Sequence, residues 1–243
     1  MVNEIEVIFF DLDDTLLYSN MDSIETGFLQ HYFGLLAEYA SPDIDPQRLI
    51  SALMAAIQVM QQNQDPDVTN EHAFAPVFAA RLDRPWEELE PFFARFYRDH
   101  FPSLRAHTKP HPDARHVVKA CQAAGYRLGV ATNPVFPATA IEQRMAWAGV
   151  EDIPFELVTT YENMHACKPF PAYYQEIADR MQVSPQVCLM VGNDLERDIA
   201  PAQQVGMHTF LVDQWLIGEY PQVRADGRGK LADLVSWVQD RTK

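Results

Sequence analysis

Positive charge is scarce in this chain. Its 243 residues hold 19 Lys and Arg against 34 Asp and Glu, a formal net charge of −15. Only Lys109, Lys119, Lys168, Lys230 and Lys243 are lysines, and positions 16–108 contain none. Such a balance excludes nucleic acid and anionic membranes as partners. An anionic small molecule is held only where a local cation overcomes the general field, so a lysine inside a motif carries weight. Cysteine is scarce too: Cys121, Cys167 and Cys188 are odd in number and lack metal-ligand spacing, which reads as reduced thiols. There is no basic-then-apolar leader and no apolar run long enough to span a bilayer, so a cytoplasmic protein is expected. Internal repeats and low-complexity tracts are also missing. The 47% hydrophobic content fits a folded globular chain, long enough for one large or two modest domains.

What is present is concentrated at one point. Val7, Ile8, Phe9 and Phe10 run directly into Asp11, Leu12, Asp13, Asp14 and Thr15. Four apolar residues in a row read as a parallel strand covered on both faces. Asp11 and Asp13, two positions apart on an extended chain, project to the same side, within reach of a single cation. Carboxylates that close repel each other and shift their own titration unless a cation neutralises them. The plain alternative is a strand running into a polar turn.

From Ser19 to Thr108 the apolar spacing is helical. Stripes run through Phe28, Tyr32, Leu35 and Tyr39, through Leu49, Leu53, Ala56, Ile57 and Met60, through Phe74, Val77 and Phe78, and through Leu89, Phe92, Phe93, Phe96 and Tyr97. Breaks at Ser41-Pro42-Asp43, Asp65-Pro66-Asp67 and Arg84-Pro85 divide them into four helices of bundle length. The stripes read as shared core rather than as a cofactor box. Beyond Pro110 strands and helices alternate: a helix from an Asp113 cap to Gly125, strand 126–131, helix 138–148 closed by Gly149, strand 155–159, helix 172–181, strand 187–191, helix 199–205, strand 209–212 and helix 231–238. This alternation predicts an α/β fold with a parallel, doubly wound sheet. Residues 214–229 have no assignable role.

In such sheets ligands bind beyond the carboxyl ends of the strands. Those ends carry Asp11, Asp13 and Thr15, then Thr132 and Asn133, then Lys168-Pro169, then Asn193, Asp194 and Asp198. Each alone has an ordinary explanation: a turn at Thr132-Asn133-Pro134, a solvated Lys168, an N-cap at Asp194. All four in one order point to one crevice.

In this order the residues resemble the haloacid dehalogenase superfamily, most of whose members are phosphatases. Its Asp-x-Asp-x-Thr motif is matched by Asp11, Asp13 and Thr15, its strand-end Ser or Thr by Thr132, its Lys, often before Pro, by Lys168, and its acidic pair by Asp194 and Asp198. The resemblance covers the whole chain. It implies a Rossmann-like core of strand order 5-4-1-2-3, formed by residues 1–18 and 109–243, with a helical C1 cap at 19–108. Between Thr132 and Lys168 there is room only for one helix and one strand, which excludes a large second-type cap.

The mechanism so implied is a Mg²⁺-dependent phosphatase acting on a small phosphorylated metabolite. Asp11 attacks phosphorus to give an aspartyl-phosphate, and Asp13 serves as acid and then base. Thr132 and Lys168, with Asn133, hold the phosphoryl oxygens. Mg²⁺ is held by Asp11, by the Asp13 backbone carbonyl and by Asp194. Many members carry the acidic residue where this chain has Asn193, so Asn193 and Asp194 are both candidates, and the carboxylate is favoured as the better ligand for a hard ion. Asp198 orients Lys168 or a metal-bound water, with Thr15 and Asn193 in support. A monomer or homodimer is expected. A phosphomutase of a sugar phosphate shares every core residue. A 2-haloacid dehalogenase has no use for Asp13, a carbon–phosphorus hydrolase needs a cap lysine that 16–108 lacks, and a non-catalytic module would have lost Asp11, Asp13 or Lys168. Tyr18 to Met21, His31 and Tyr32 lie where a leaving group could be met, His31 reading more simply as a packed surface residue.

Overall fold

The computed structural model describes residues 5–20, 27–40, 44–219 and 222–240. β1 (Val7–Phe10) is fully buried, as its unbroken apolar run requires. Val7 and Phe9 face one apolar cluster and Ile8 and Phe10 the other, so both faces of the strand are covered. It pairs in parallel with β4 (Arg127–Val130) and β6 (Cys188–Gly192), Phe10 lying opposite Val130 and Val191. β5 (Leu157–Val158) flanks β4 and β7 (His208–Val212) flanks β6. The order β5-β4-β1-β6-β7 is the expected 5-4-1-2-3 read from the opposite edge.

One strand was not anticipated. β8 (Gly227–Gly229) extends the sheet beyond β7 in parallel, inside the segment that had no assignable role. A side chain at Gly227 would press on Trp237 and Phe210, with a Cβ only 2.4 Å from the indole, which is why a glycine stands there.

After β1 the chain passes through β2 (Leu17–Tyr18) into α1 (Phe28–Tyr39), α2 (Pro46–Gln61), α3 (Asn70–Leu82) and α4 (Trp86–Asp99), and returns through β3 (Lys109–Pro110). The Asp45 carboxylate accepts the Arg48 N–H to start α2, and the Thr69 hydroxyl accepts that of His72 to start α3. Leu17 pairs with Pro110 and Tyr18 with Lys109, an antiparallel ribbon that brings the outgoing and returning chains side by side. The expected break at Ser41-Pro42-Asp43, and Met21, lie outside the described residues.

The remaining helices α5 (Ala114–Ala123), α6 (Ala138–Ala148), α7 (Pro171–Arg180), α8 (Ala200–Gln204) and α9 (Leu234–Gln239) follow the expected alternation. Gly149 closes α6 with φ 74°, a left-handed turn suited to glycine. Asp113 precedes α5 as expected, but its carboxylate makes no capping bond. The aromatic stripes join the sheet's own apolar cluster, through ring contacts such as Phe28–Phe101 at 5.9 Å and Tyr32–Phe136 at 5.6 Å. Cys121, Cys167 and Cys188 are buried free thiols. No helix among the described residues is long and apolar enough to cross a membrane.

Candidate active site

The carboxyl ends of β1, β4 and β6 open on a cavity of about 300 Å³. Its polar end is lined by Asp11, Asp13, Asn133, Lys168, Asn193 and Asp194. The first strand's turn is set by Leu12, whose carbonyl accepts the N–H groups of Leu16 and Leu17. Asp14 stands at φ 55°, and its Oδ1 accepts the N–H groups of Ser19 and Asn20, both at 2.8 Å.

Lys168 lies at the centre, 5% exposed. Its Nζ donates to Asp11 Oδ1 at 2.8 Å and to Asp198 Oδ1 at 2.6 Å. Burial alone pulls an ammonium pKa down, but here the Asp11 and Asp198 carboxylates outweigh it and hold it well above the ordinary lysine value. Burial lifts the Asp11 carboxyl to about 7, against the pull of Lys168 and with help from the Asp198 charge. The other Asp11 oxygen, Oδ2, lies 3.1 Å from Thr15 Oγ1, which is also 3.2 Å from Asn193 Oδ1. With a single proton, the threonine hydroxyl donates to one of them at a time.

Asp198 Oδ2 accepts the backbone N–H groups of Asn193 and Asp194, each at 3.1 Å. Asn193 Nδ2 donates to the Trp215 carbonyl at 2.6 Å, the Ile217 N–H donates to the Asn193 carbonyl and the Ile217 carbonyl accepts from the Leu195 N–H, so the segment after β7 straps the fourth strand's turn. The Asp194 carboxylate does cap: Oδ1 accepts from the N–H groups of Glu196 and Arg197 at 2.8 and 2.9 Å. It lines the cavity as well, so the capping and site readings hold together. Burial, with the Asp198 charge behind it, raises its pKa above the ordinary carboxylate value.

Thr132 is 1% exposed, and its Oγ1 has no hydrogen-bond partner. Its carbonyl is held instead, by Tyr173 Oη at 2.9 Å and Thr159 Oγ1 at 2.8 Å. Asn133 Oδ1 accepts the Lys168 backbone N–H at 3.2 Å, tying the second strand's turn to the third. Of the residues expected at the site, Asp11, Asp13, Asn133, Lys168, Asn193, Asp194 and Asp198 line the cavity; Thr132 and Thr15 do not, Thr15 meeting it only through Asp11 and Asn193.

Sequence reading missed Arg144. It lies fully buried on α6 and pairs with Asp13 Oδ1, which also accepts from Ser19 Oγ at 2.9 Å. Its guanidinium carbon is 5.5 Å from the Phe28 ring centre and 5.2 Å from that of Phe136. The available signal was its place on the buried face of α6, three residues after Ile141 and three before Trp147. Of Tyr18, His31 and Tyr32, Tyr32 lines the cavity. His31 stacks on His107 at 3.4 Å, and the Tyr18 ring meets that of Trp215 at 4.8 Å with the planes tilted by 39°; neither is among the lining residues. The helical stripes are core, as expected, yet part of their aromatic face also lines this cavity.

Five aspartates and two cations, Lys168 and Arg197, border the cavity. Among the described residues, no cluster of three or more His, Cys, Asp or Glu side chains forms a ready-made metal cage. Hard oxygen donors in a carboxylate-rich crevice nonetheless suit Mg²⁺, which keeps several waters and takes one or two carboxylates together with substrate phosphate.

A family model described as haloacid dehalogenase-like hydrolase matches residues 5–206. The glyceraldehyde 3-phosphate phosphatase of Pyrococcus abyssi is 30% identical over 211 residues, covering 84% of this chain and 80% of that protein. The pyrophosphatase PpaX of Bacillus mycoides is 23% identical over 218 residues, covering 88% and 86%. Among solved structures, a 2-haloacid dehalogenase from Pseudomonas syringae pv. Tomato DC3000 superimposes with a TM-score of 0.64 at 21% identity, covering 98% of this chain and 100% of that one. A predicted phosphoglycolate phosphatase from Haemophilus somnus 129pt gives 0.60 at 18%, with the same coverage. At such identities the structural likeness speaks for the fold alone.

Proposed function

The chain belongs to the haloacid dehalogenase-like hydrolases, and from that premise we propose that it is a Mg²⁺-dependent phosphatase, releasing inorganic phosphate from a small phosphorylated metabolite through an aspartyl-phosphate on Asp11. The observation that carries this reading is the ammonium of Lys168 held between Asp11 and Asp198 in a buried crevice. A cation so placed orients the nucleophile and neutralises charge on the phosphoryl oxygens.

Asp11 attacks phosphorus while Asp13 gives a proton to the departing alcohol oxygen. Asp13 then takes a proton from the water that hydrolyses the acyl phosphate. Its Oδ1 is occupied by Ser19 and Arg144, which leaves Oδ2 for these transfers. Thr132 Oγ1, buried with no protein partner, is suited to a phosphoryl oxygen. Asp11, the Asp13 carbonyl and Asp194 would hold Mg²⁺. Asp194 is preferred over Asn193, whose amide is committed to Trp215 and Thr15. When bound, the ion screens the repulsion between an anionic nucleophile and an anionic phosphate. We assign residues 19–108 as the cap that covers this crevice and 1–18 with 109–243 as the core. A dehalogenase has no role for Asp13, and a non-catalytic module none for the buried lysine.

Phosphate release from a panel of phosphorylated metabolites, with Mg²⁺ and with a chelator, tests the reading. Mg²⁺-dependent release that falls by more than about 10³-fold in Asp11→Asn is expected. Release persisting unchanged in that variant overturns the covalent mechanism.

A further inference from the structure

The two ends of the cavity differ in chemistry. The polar end carries all of its charged residues. The other end is built by α1–α4, with Leu29, Phe33, Leu53, Ile57 and Phe93 on its wall, and none of the described lining residues from these helices is charged. Its polar tips are largely spent on each other: Tyr32 Oη and Tyr97 Oη lie 2.9 Å apart. Burial raises the Tyr32 pKa to about 12 and that of Tyr97 also upward, so both remain neutral hydroxyls. Gln61, Tyr161 and the indole of Trp86 supply what polarity is left. Met54 borders the cavity while 48% exposed, an apolar and adaptable side chain at its mouth.

A leaving group with several hydroxyls or a second charge would shed its water here and find few partners. Arg144, beside the lining residue Phe136, is covered by Phe28 and Phe136 and committed to Asp13. A liquid water takes about 30 Å³, so the 300 Å³ of the cavity far exceeds what a phosphoryl group alone requires.

We infer that the substrate is the phosphomonoester of an apolar alcohol, its hydrocarbon seated on the wall built by α1–α4 while its phosphoryl group meets Asp11 and Lys168. The inference rests on the phosphatase reading above. In the reaction the P–O bond to the alcohol breaks, the alcohol leaves with a proton from Asp13, and the water's oxygen ends on phosphate.

A series of n-alkyl phosphates from methyl to octyl tests it, because beyond the first members the basicity of the leaving alkoxide barely changes. With Mg²⁺ present, kcat/KM should rise about fourfold per added methylene until the wall is covered, the factor equivalent to about 0.8 kcal/mol per buried CH₂. Hexyl phosphate should exceed glyceraldehyde 3-phosphate and pyrophosphate by about tenfold or more. Met54→Glu, a change at a half-exposed position, should flatten the chain-length slope. A flat slope in the native protein, or polar esters that match hexyl phosphate, overturns the inference and leaves the phosphatase reading standing. A slope unaltered by Met54→Glu removes α2 from the binding wall and overturns the seating described here. Phosphate release from no ester at all sinks both readings, and chloride release from 2-chlorohexanoate would then mark a dehalogenase.

Discussion

Asp198 reaches Lys168 with one carboxylate oxygen, at 2.6 Å, and with the other gathers the backbone N–H groups of Asn193 and Asp194. One side chain thus sets the position of the buried ammonium and the shape of the fourth strand's turn. The same carboxylate leaves no room beside it. A Cβ at Gly192 would lie 2.2 Å from Asp198 Oδ2, and the obstacle is a carboxylate pinned by three hydrogen bonds rather than a loose side-chain end.

Gly192→Ala therefore displaces Asp198 and, through it, Lys168. Overpacking of this kind costs about 1–3 kcal/mol, and kcat/KM should fall by about 10²-fold as the phosphoryl-binding cation moves. Denaturant titration and steady-state kinetics on the one variant read both effects. Full activity in a folded Gly192→Ala protein would show that the Asp198–Lys168 contact is dispensable.

Thr132 calls for the opposite pairing of outcomes. Its hydroxyl has no partner in the protein, so Thr132→Val removes a buried orphan and leaves stability equal or slightly higher. If that hydroxyl serves the transferring phosphoryl group, kcat/KM drops by about 10²–10³-fold, the usual cost of one oxyanion donor. Thermal melts and kinetics separate the two. A variant that is destabilised but fully active assigns the hydroxyl a structural role instead.

The sheet and the polar half of the site were legible in the chain for a physical reason. A strand covered on both faces must be apolar throughout, so Val7–Phe10 and Cys188–Gly192 stand out, and the residues that follow them must be the ligand-facing turn. Gly149 marks a helix end because few other residues take φ 74° at low cost. What stayed hidden depends on contacts far apart in sequence. Arg144 reads as an ordinary solvated charge until α6 is laid against Phe28, more than a hundred residues earlier. The strap of Trp215 and Ile217 over Asn193, and the pairing of β8 with β7, have no periodicity to announce them. Nor does helical spacing tell a wall facing a cavity from one packed solid, which is why Ile57 and Phe93 first read as core alone.

Asp11 gives the metal-free protein one source of pH dependence. Burial holds its carboxyl at about 7, whereas an aspartate in an unfolded chain titrates near 4. Between those values the native state binds more protons than the unfolded state, so through this group stability falls as pH rises from about 4 to about 7. Mg²⁺ competes with that proton, and its stabilising effect should grow over the same window. Melting temperatures of the native protein and Asp11→Asn, taken across about pH 5 to 8, should diverge with rising pH without the ion and converge in its presence. Parallel curves for the two proteins, with and without Mg²⁺, would exclude Asp11 as both the titrating and the metal-holding group.

Arg144 gives the sharpest separation of stability from activity. Its Nε and Nη1 lack partners inside the protein, and burial pulls its pKa down to about 10 against the opposing charge of Asp11. Replacing such a group with an apolar side chain of similar volume is often neutral or stabilising. The Asp13 side chain is 19% exposed and keeps Ser19, so it is not stranded as a buried charge when the arginine goes. Arg144→Met should therefore melt at or above the native temperature. Activity should move the other way, because Asp13 loses the contact that fixes Oδ1 and aims Oδ2 at the departing oxygen. A well-placed acid–base group is worth about 10²–10⁴-fold, and losing its aim rather than the group itself should cost kcat about 10- to 100-fold, with little change in KM. Arg144→Lys keeps the charge but not the planar stack between Phe28 and Phe136, so it should restore only part of the rate. Native kcat in a folded Arg144→Met protein would leave the arginine with a packing role alone.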